Sequence, residues 1–263
     1  MGGYDQALLL ARSAADATVC QFIAPSRPGY LGTKLAVGRT PEEQADVWAG
    51  LLDALGLEQA AVIAISGGGQ SAIQFALRHS SRCRALVMIS ACSAQLHVRI
   101  PMRFHLMKFM VRLPAISSFL RKKALSNPEA AAERSIPDAA LRARTLNDPE
   151  AGPLLRALQL STLDRMVERL PGTENDIAQS RSAFAYPLEQ IAAPLLVVHG
   201  TDDEAVPVEH AKALASRVPN AELLLLEGGR HTSLFTHLGE IRARTFPFLD
   251  AHAKYSSAAS SSM

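Results

Sequence analysis

Apolar residues cluster along the chain in five short runs, at 18–24, Ala60–Ile65, 85–89, 194–198 and Ala221–Leu226. Each run is nearly continuous rather than alternating, the pattern of strands covered on both faces in a parallel sheet. Between them lie stretches with explicit helix signals. Thr40-Pro41-Glu42-Glu43 offers a capping box, with Pro at the first helical position and Glu three residues after the cap. The helix it opens should run to about Leu55 and stop at Gly56. A further helix is expected over residues 5–15. Strand–helix alternation of this kind predicts an α/β fold with a mostly parallel sheet flanked by helices.

One stretch breaks the alternation. Residues 93–184 carry helical patterning punctuated by prolines and no convincing strand, which reads as a helical cap inserted into the sheet. The expected layout is therefore a core formed by 1–92 and 185–255, a cap over 93–184, and a disordered Ser/Ala-rich tail at 256–263. No Asp or Glu occurs between Glu58 and Glu129, whereas Arg99, Arg103, Lys108, Arg112, Arg121, Lys122 and Lys123 do. Residues 100–125 add Met102, Phe104, Leu106, Met107, Phe109 and Met110. Two readings follow: amphipathic helices packed on the core, or a surface that meets acyl chains, anionic substrates or lipid headgroups.

Composition narrows the field. The chain has 263 residues, 48% hydrophobic and 20% charged, with net charge +2. These values suit a globular protein and give no electrostatic footprint for nucleic acid. No apolar run reaches the ~18 residues of a membrane span, so no stable membrane insertion is expected. Three dispersed cysteines, Cys20, Cys83 and Cys92, favour a reducing, cytoplasmic setting over a disulfide framework. They also offer no metal-ligand spacing, and no dinucleotide fingerprint is present; the expectation is no metal and no cofactor.

The chemistry concentrates at strand ends. Ala64-Ile65-Ser66-Gly67-Gly68 runs from a buried strand straight into a helix, a small-x-Ser-x-small turn suited to an exposed nucleophile. The alternative, a glycine-rich phosphate loop, lacks both Gly-x-Gly-x-x-Gly and a Walker lysine. A carboxylate cluster, Asp202-Asp203-Glu204, follows the 194–198 strand, and Glu227-Gly228-Gly229-Arg230-His231 follows the last one. Serine, acid and histidine thus all fall past strand C-termini, where open α/β sheets build their sites.

These residues resemble the α/β-hydrolase superfamily over nearly the whole chain. The pattern His-Gly-x-x-Asp-x-x-Val-Pro matches His199 to Pro207 without a gap, and Pro28-Gly29-Tyr30-Leu31-Gly32 looks like the family's Gly-Tyr-x-Gly loop. The resemblance implies Ser66 as nucleophile, Asp203 as the acid, His231 as the base, and the Gly67 N–H as an oxyanion donor. Gly2-Gly3 stands where the family's His-Gly loop ends, implying a second oxyanion or binding contribution from Gly2 or Gly3. The family's strands before that loop have no counterpart, which implies an N-terminally shortened hydrolase with a gap in the sheet beside the strand ending at Ile65. The expected function is a serine hydrolase working through an acyl-enzyme on a small to medium hydrophobic or anionic carboxylic ester, with a small-molecule substrate as its partner. The alternatives are a C–C bond hydrolase or peptidase of the same superfamily, or an impaired member serving as a binding module.

Overall fold

A computed structural model describes residues 2–96, 102–182 and 185–253. Four strands, β1 (Ala60–Ile65), β2 (Cys83–Ile89), β3 (Leu195–Gly200) and β4 (Ala221–Leu226), form one sheet in the order β1-β2-β3-β4. All three pairings are parallel. The helices are α1 (Tyr4–Ala14), α2 (Pro41–Ala54), α3 (Gly69–Arg78), α4 (Met102–Met110), α5 (Pro114–Ser126) and α6 (Pro128–Glu133). They continue with α7 (Ala139–Asn147), α8 (Ala151–Leu163), α9 (Met166–Arg181), α10 (Glu209–Arg217), α11 (Ser233–Thr236) and α12 (Leu238–Ala253).

The pleat of the two central strands divides the core. Leu86, Met88, Leu195 and Val197 point to one face, where Ala49, Leu52, Ile73, Phe75 and Leu214 cover them. Ala85, Val87, Ile89, Leu196 and Val198 point to the other, against Leu10, Leu155, Ile241 and Phe248. Helices α2, α3 and α10 thus lie on one side and α1, α8 and α12 on the other. The capping box forms as its sequence dictates: Thr40 Oγ1 accepts from Glu43 N at 3.2 Å, and Glu43 Oε2 accepts from Thr40 N at 3.0 Å. The helix ends before Gly56, which sits at φ +66.

Two expectations about strands change. Residues 18–24 form no strand: after a turn in which Thr18 N donates to Asp16 Oδ1, the chain runs without ladder hydrogen bonds. Its side chains still find a use, since Cys20 and Phe22 pack partly on the α1/α12 face. An extended segment becomes a strand only when a neighbour supplies donors and acceptors, and the edge strand β1 pairs with β2 alone. The outer strands are also less covered than their apolar runs imply. Only Ala64 of β1 and Leu226 of β4 are buried, because each lies at a sheet edge.

Between β2 and β3 the described residues hold α4 to α9 and no strand. Helix α9 is tied to the core loop after residue 26 in an unusual way. Pro171 lies inside it and supplies no N–H; the next amide, Gly172 N, donates to Gly29 O at 2.9 Å. Glu168 O in turn accepts from Leu31 N at 3.1 Å. Arg169 adds a forked ion pair to Asp5 at the start of α1. The tail at 256–263 lies outside the described residues.

Candidate active site

β1 delivers Ser66 at its C-terminal end, on the sharp turn into α3. Ser66 has φ +54, a left-handed conformation costly for a residue with a side chain and typical of functional turns. Its Oγ lies 3.0 Å from His231 Nε2, and His231 Nδ1 lies 2.8 and 3.2 Å from the two Asp203 oxygens. An ionised carboxylate only accepts, so Nδ1 carries the hydrogen and Nε2 is left to accept from the Ser66 hydroxyl. Asp203 and His231 stand on the loops after β3 and β4, so the three groups from distant parts of the chain meet at one sheet edge.

Asp203 is fixed on all sides. Its Oδ1 accepts from Ala205 N at 2.9 Å and Val206 N at 3.0 Å. Burial pushes its carboxyl up, but the hydrogen bond and charge of His231, the Val206 N–H and His199 outweigh that and hold it below the usual carboxylate range. His199 is buried, and its Nε2 donates to Val206 O at 2.8 Å. His210 Nδ1 accepts from Ser93 N at 3.1 Å and Ala94 N at 3.2 Å, which makes it a neutral acceptor that holds the strand end after β2. Cys92 N, on that same strand end, donates to Ser66 O.

A cleft of about 170 Å³ opens beside Ser66, lined by Tyr30, Gln70, Cys92, Thr173 and Asp176 among others. One charged wall dominates it. Asp176 of α9 accepts two hydrogen bonds from Arg27, at 2.6 and 2.9 Å, and a third from Tyr30 Oη at 2.7 Å. Arg27 and Asp176 are mostly buried, so each depends on the other for its charge. Burial alone would lower the Arg27 pKa; Asp176 more than restores it. Burial and the same carboxylate push the Tyr30 phenol up. Burial likewise pushes the Cys92 thiol up to about 11, so it faces the cleft as a neutral group.

The glycines divide. Gly67 follows Ser66 in the first turn before α3, where backbone N–H groups lack helical partners, and a Cβ there would lie 3.5 Å from Asp176 Oδ2. Gly2 and Gly3 are not among the residues lining the cleft. Gly2 instead lies under the Tyr30 ring, where a Cβ would come within 2.5 Å, and Gly3 lies against Arg169 and Leu31. The basic residues expected to attract an anionic substrate are engaged or out of view. Lys108 pairs with Glu174 of α9, while Arg99 and the Arg103 side chain fall outside the described residues. Among the described residues no group of three His, Cys, Asp or Glu is arranged to hold a metal.

Arg27, Tyr30, Asp176 and His210 were not singled out as functional from sequence. Tyr30 lies within the Gly-Tyr loop, but Asp176 is 149 positions from Arg27 in a helix between β2 and β3, and nothing local marks the pair.

A family model described as alpha/beta hydrolase fold matches residues 3–238. An alpha/beta hydrolase fold protein from Nakamurella multipartita is 34% identical, with TM-score 0.78, over 95% of this chain and 89% of that one. A thermophilic esterase from Thermogutta terrifontis shares the fold at 19% identity and TM-score 0.62, covering 96% and 87%. A 2-hydroxy-6-oxo-6-phenylhexa-2,4-dienoate hydrolase from Burkholderia cepacia is 25% identical over 87% of this chain and 77% of its own length. The chain belongs to the alpha/beta hydrolase fold family and is a hydrolase by class.

Proposed function

We propose that this chain is a serine hydrolase that cleaves a small carboxylic ester through an acyl-enzyme. The observation that carries the reading is the unbroken relay from Ser66 Oγ through His231 to Asp203, with Ser66 facing a cleft. In the first half-reaction His231 Nε2 takes the Ser66 proton as Oγ bonds to the ester carbonyl carbon. The Gly67 N–H, at the positive end of α3, donates to the oxygen that becomes negative. The C–O bond to the leaving alkoxide then breaks, and His231 returns the proton to it. A water repeats the sequence on the acyl-enzyme, releasing the acid and restoring Ser66. Asp203 stays ionised and holds the imidazole in the tautomer this requires.

The cleft favours a small substrate, being close in size to the ~150 Å³ cavity that accommodates benzene. Its Arg27–Asp176 pair, with Tyr30 and Thr173, favours a polar neutral group over a second carboxylate. A C–C bond hydrolase is the second reading, favoured by relatives named as hydrolases of 2-hydroxy-6-oxo-dienoates.

Labelling by a fluorophosphonate probe, with Ser66→Ala as control and circular dichroism as the check on folding, tests the reading. Labelling that disappears in Ser66→Ala, with turnover of p-nitrophenyl acetate falling at least ~10³-fold, is the expected result. A folded wild-type chain that neither labels nor turns over ester rejects it. Cleavage of a 2-hydroxy-6-oxo-dienoate without ester turnover moves the assignment to the second reading.

A further inference from the structure

Helix α4 departs from the rule that amphipathic helices turn their apolar face inward. Met102, Leu106, Phe109, Met110 and Leu113 follow one another at intervals of four, three, one and three, which places them on one side of α4 and its exit. That side faces solvent: Met102 is 83% exposed and Phe109 69%. On α5, Phe119 is a further exposed apolar side chain, at 65%. The opposite side is anchored, with Val111 buried and Lys108 and Arg121 paired to Glu174 and Asp164. The exposed apolar residues are therefore presented by a held frame.

The charged residues that α4, α5 and their connection themselves carry have one sign, and two of them, Lys108 and Arg121, are answered by Glu174 and Asp164 on the anchored side. Arg112, Lys122 and Lys123 are exposed beside the apolar residues, and the chain has no Asp or Glu from 59 to 128. Large apolar side chains exposed together along one helix side mark an interaction site. A symmetric pairing with a second copy would set these bases against their own equivalents. An anionic lipid surface answers both features, because it takes apolar side chains at the headgroup boundary and draws lysine and arginine to its phosphates. No described helix is long and apolar enough to span a membrane, so the contact is peripheral.

We propose that the solvent face of α4 and α5 docks on anionic lipid bilayers, with Leu106, Phe109 and Phe119 entering the headgroup boundary and Arg112, Lys122 and Lys123 binding lipid phosphates. The docking is independent of the Ser66 chemistry. Sedimentation of the full chain with phosphatidylcholine vesicles, with and without phosphatidylserine, tests it. Expected are binding to the phosphatidylserine vesicles that weakens with salt, and affinity falling at least ~30-fold both in Leu106→Ser/Phe109→Ser and in Lys122→Glu/Lys123→Glu. Both variants should keep wild-type circular dichroism and fluorophosphonate labelling. A folded wild-type chain that stays in the supernatant overturns the proposal, as does undiminished binding by either variant. A stable wild-type dimer that Leu106→Ser/Phe109→Ser dissociates would assign the surface to a second copy instead.

Discussion

Asp176 stands where a carboxylate is least welcome to a serine hydrolase. It lines the same cleft as Ser66, and a Cβ on Gly67 would lie 3.5 Å from its Oδ2, so its charge acts at short range on the reacting centre. The forked pair with Arg27 neutralises it, and Tyr30 takes a further lone pair. Removing the arginine alone therefore damages the site more than removing the pair. Arg27→Gln is expected to lower kcat by roughly 10–100-fold, with a smaller change in KM, because the unneutralised charge opposes the transition state more than the bound ester. It is also expected to destabilise the fold by about 3 kcal/mol, since a mostly buried carboxylate loses its partner. Arg27→Gln/Asp176→Asn should recover much of both, and a double-mutant cycle on kcat and urea unfolding measures the coupling. At this scale the sequence is informative where a residue's role is set by its neighbours in the chain. Ser66, Asp203 and His231 each follow a strand end and can be read locally, whereas Asp176 acquires its role only when α9 folds back over the core.

At the level of elements, the stitching of α9 to the loop at Gly29–Leu31 makes one residue decisive. A Cβ on Gly172 would lie 2.2 Å from the Tyr30 ring, so Gly172→Ala must push helix and loop apart. That movement also separates Asp176 from Arg27 and Tyr30. The expected result is a protein that keeps its far-ultraviolet circular dichroism, loses several degrees of Tm and raises KM for small esters; unchanged kinetics would mean that the cleft is set elsewhere. Local signals placed most elements well: Thr40, Glu43 and Gly56 bound α2 because capping and a left-handed stop are properties of a few adjacent residues. Residues 18–24 show the limit. Their apolar composition suits a strand, but strand formation is decided by a partner, and β1 offers its ladder only to β2.

Across the whole molecule, two neutral histidines link the site to the stability of the fold. Burial lowers the pKa of both His199 and His210, outweighing the Val206 carbonyl and Asp203 that raise that of His199, and the amides that donate to His210 Nδ1 require an uncharged ring there. The unfolded chain thus takes up protons that the folded chain refuses. Their contribution is fully present above the ordinary histidine pKa of about 6.5 and is lost as pH falls below it. Asp203, held below its ordinary value, adds a further loss at lower pH, as the medium falls through its folded pKa. Tm should therefore decline between pH 7 and pH 5, and His210→Asn should show a shallower decline even if its Tm at pH 7 is lower. A slope identical to wild type would remove His210 from the account. Net charge was silent on this, because +2 summed over the chain says nothing about which groups are denied water.

The hydrogen bonds that leave α9 at Gly172 and Glu168 also bear on how molecules enter and leave. A helix whose backbone is shared with the loop beneath cannot swing away without breaking the floor it covers. α9 therefore moves together with that loop as one wall, and the cleft fills and empties past its edges. The same wall that presents Asp176 to an incoming molecule acts as a template of constant shape, so selectivity here rests on fit to a standing surface rather than on closure around a guest.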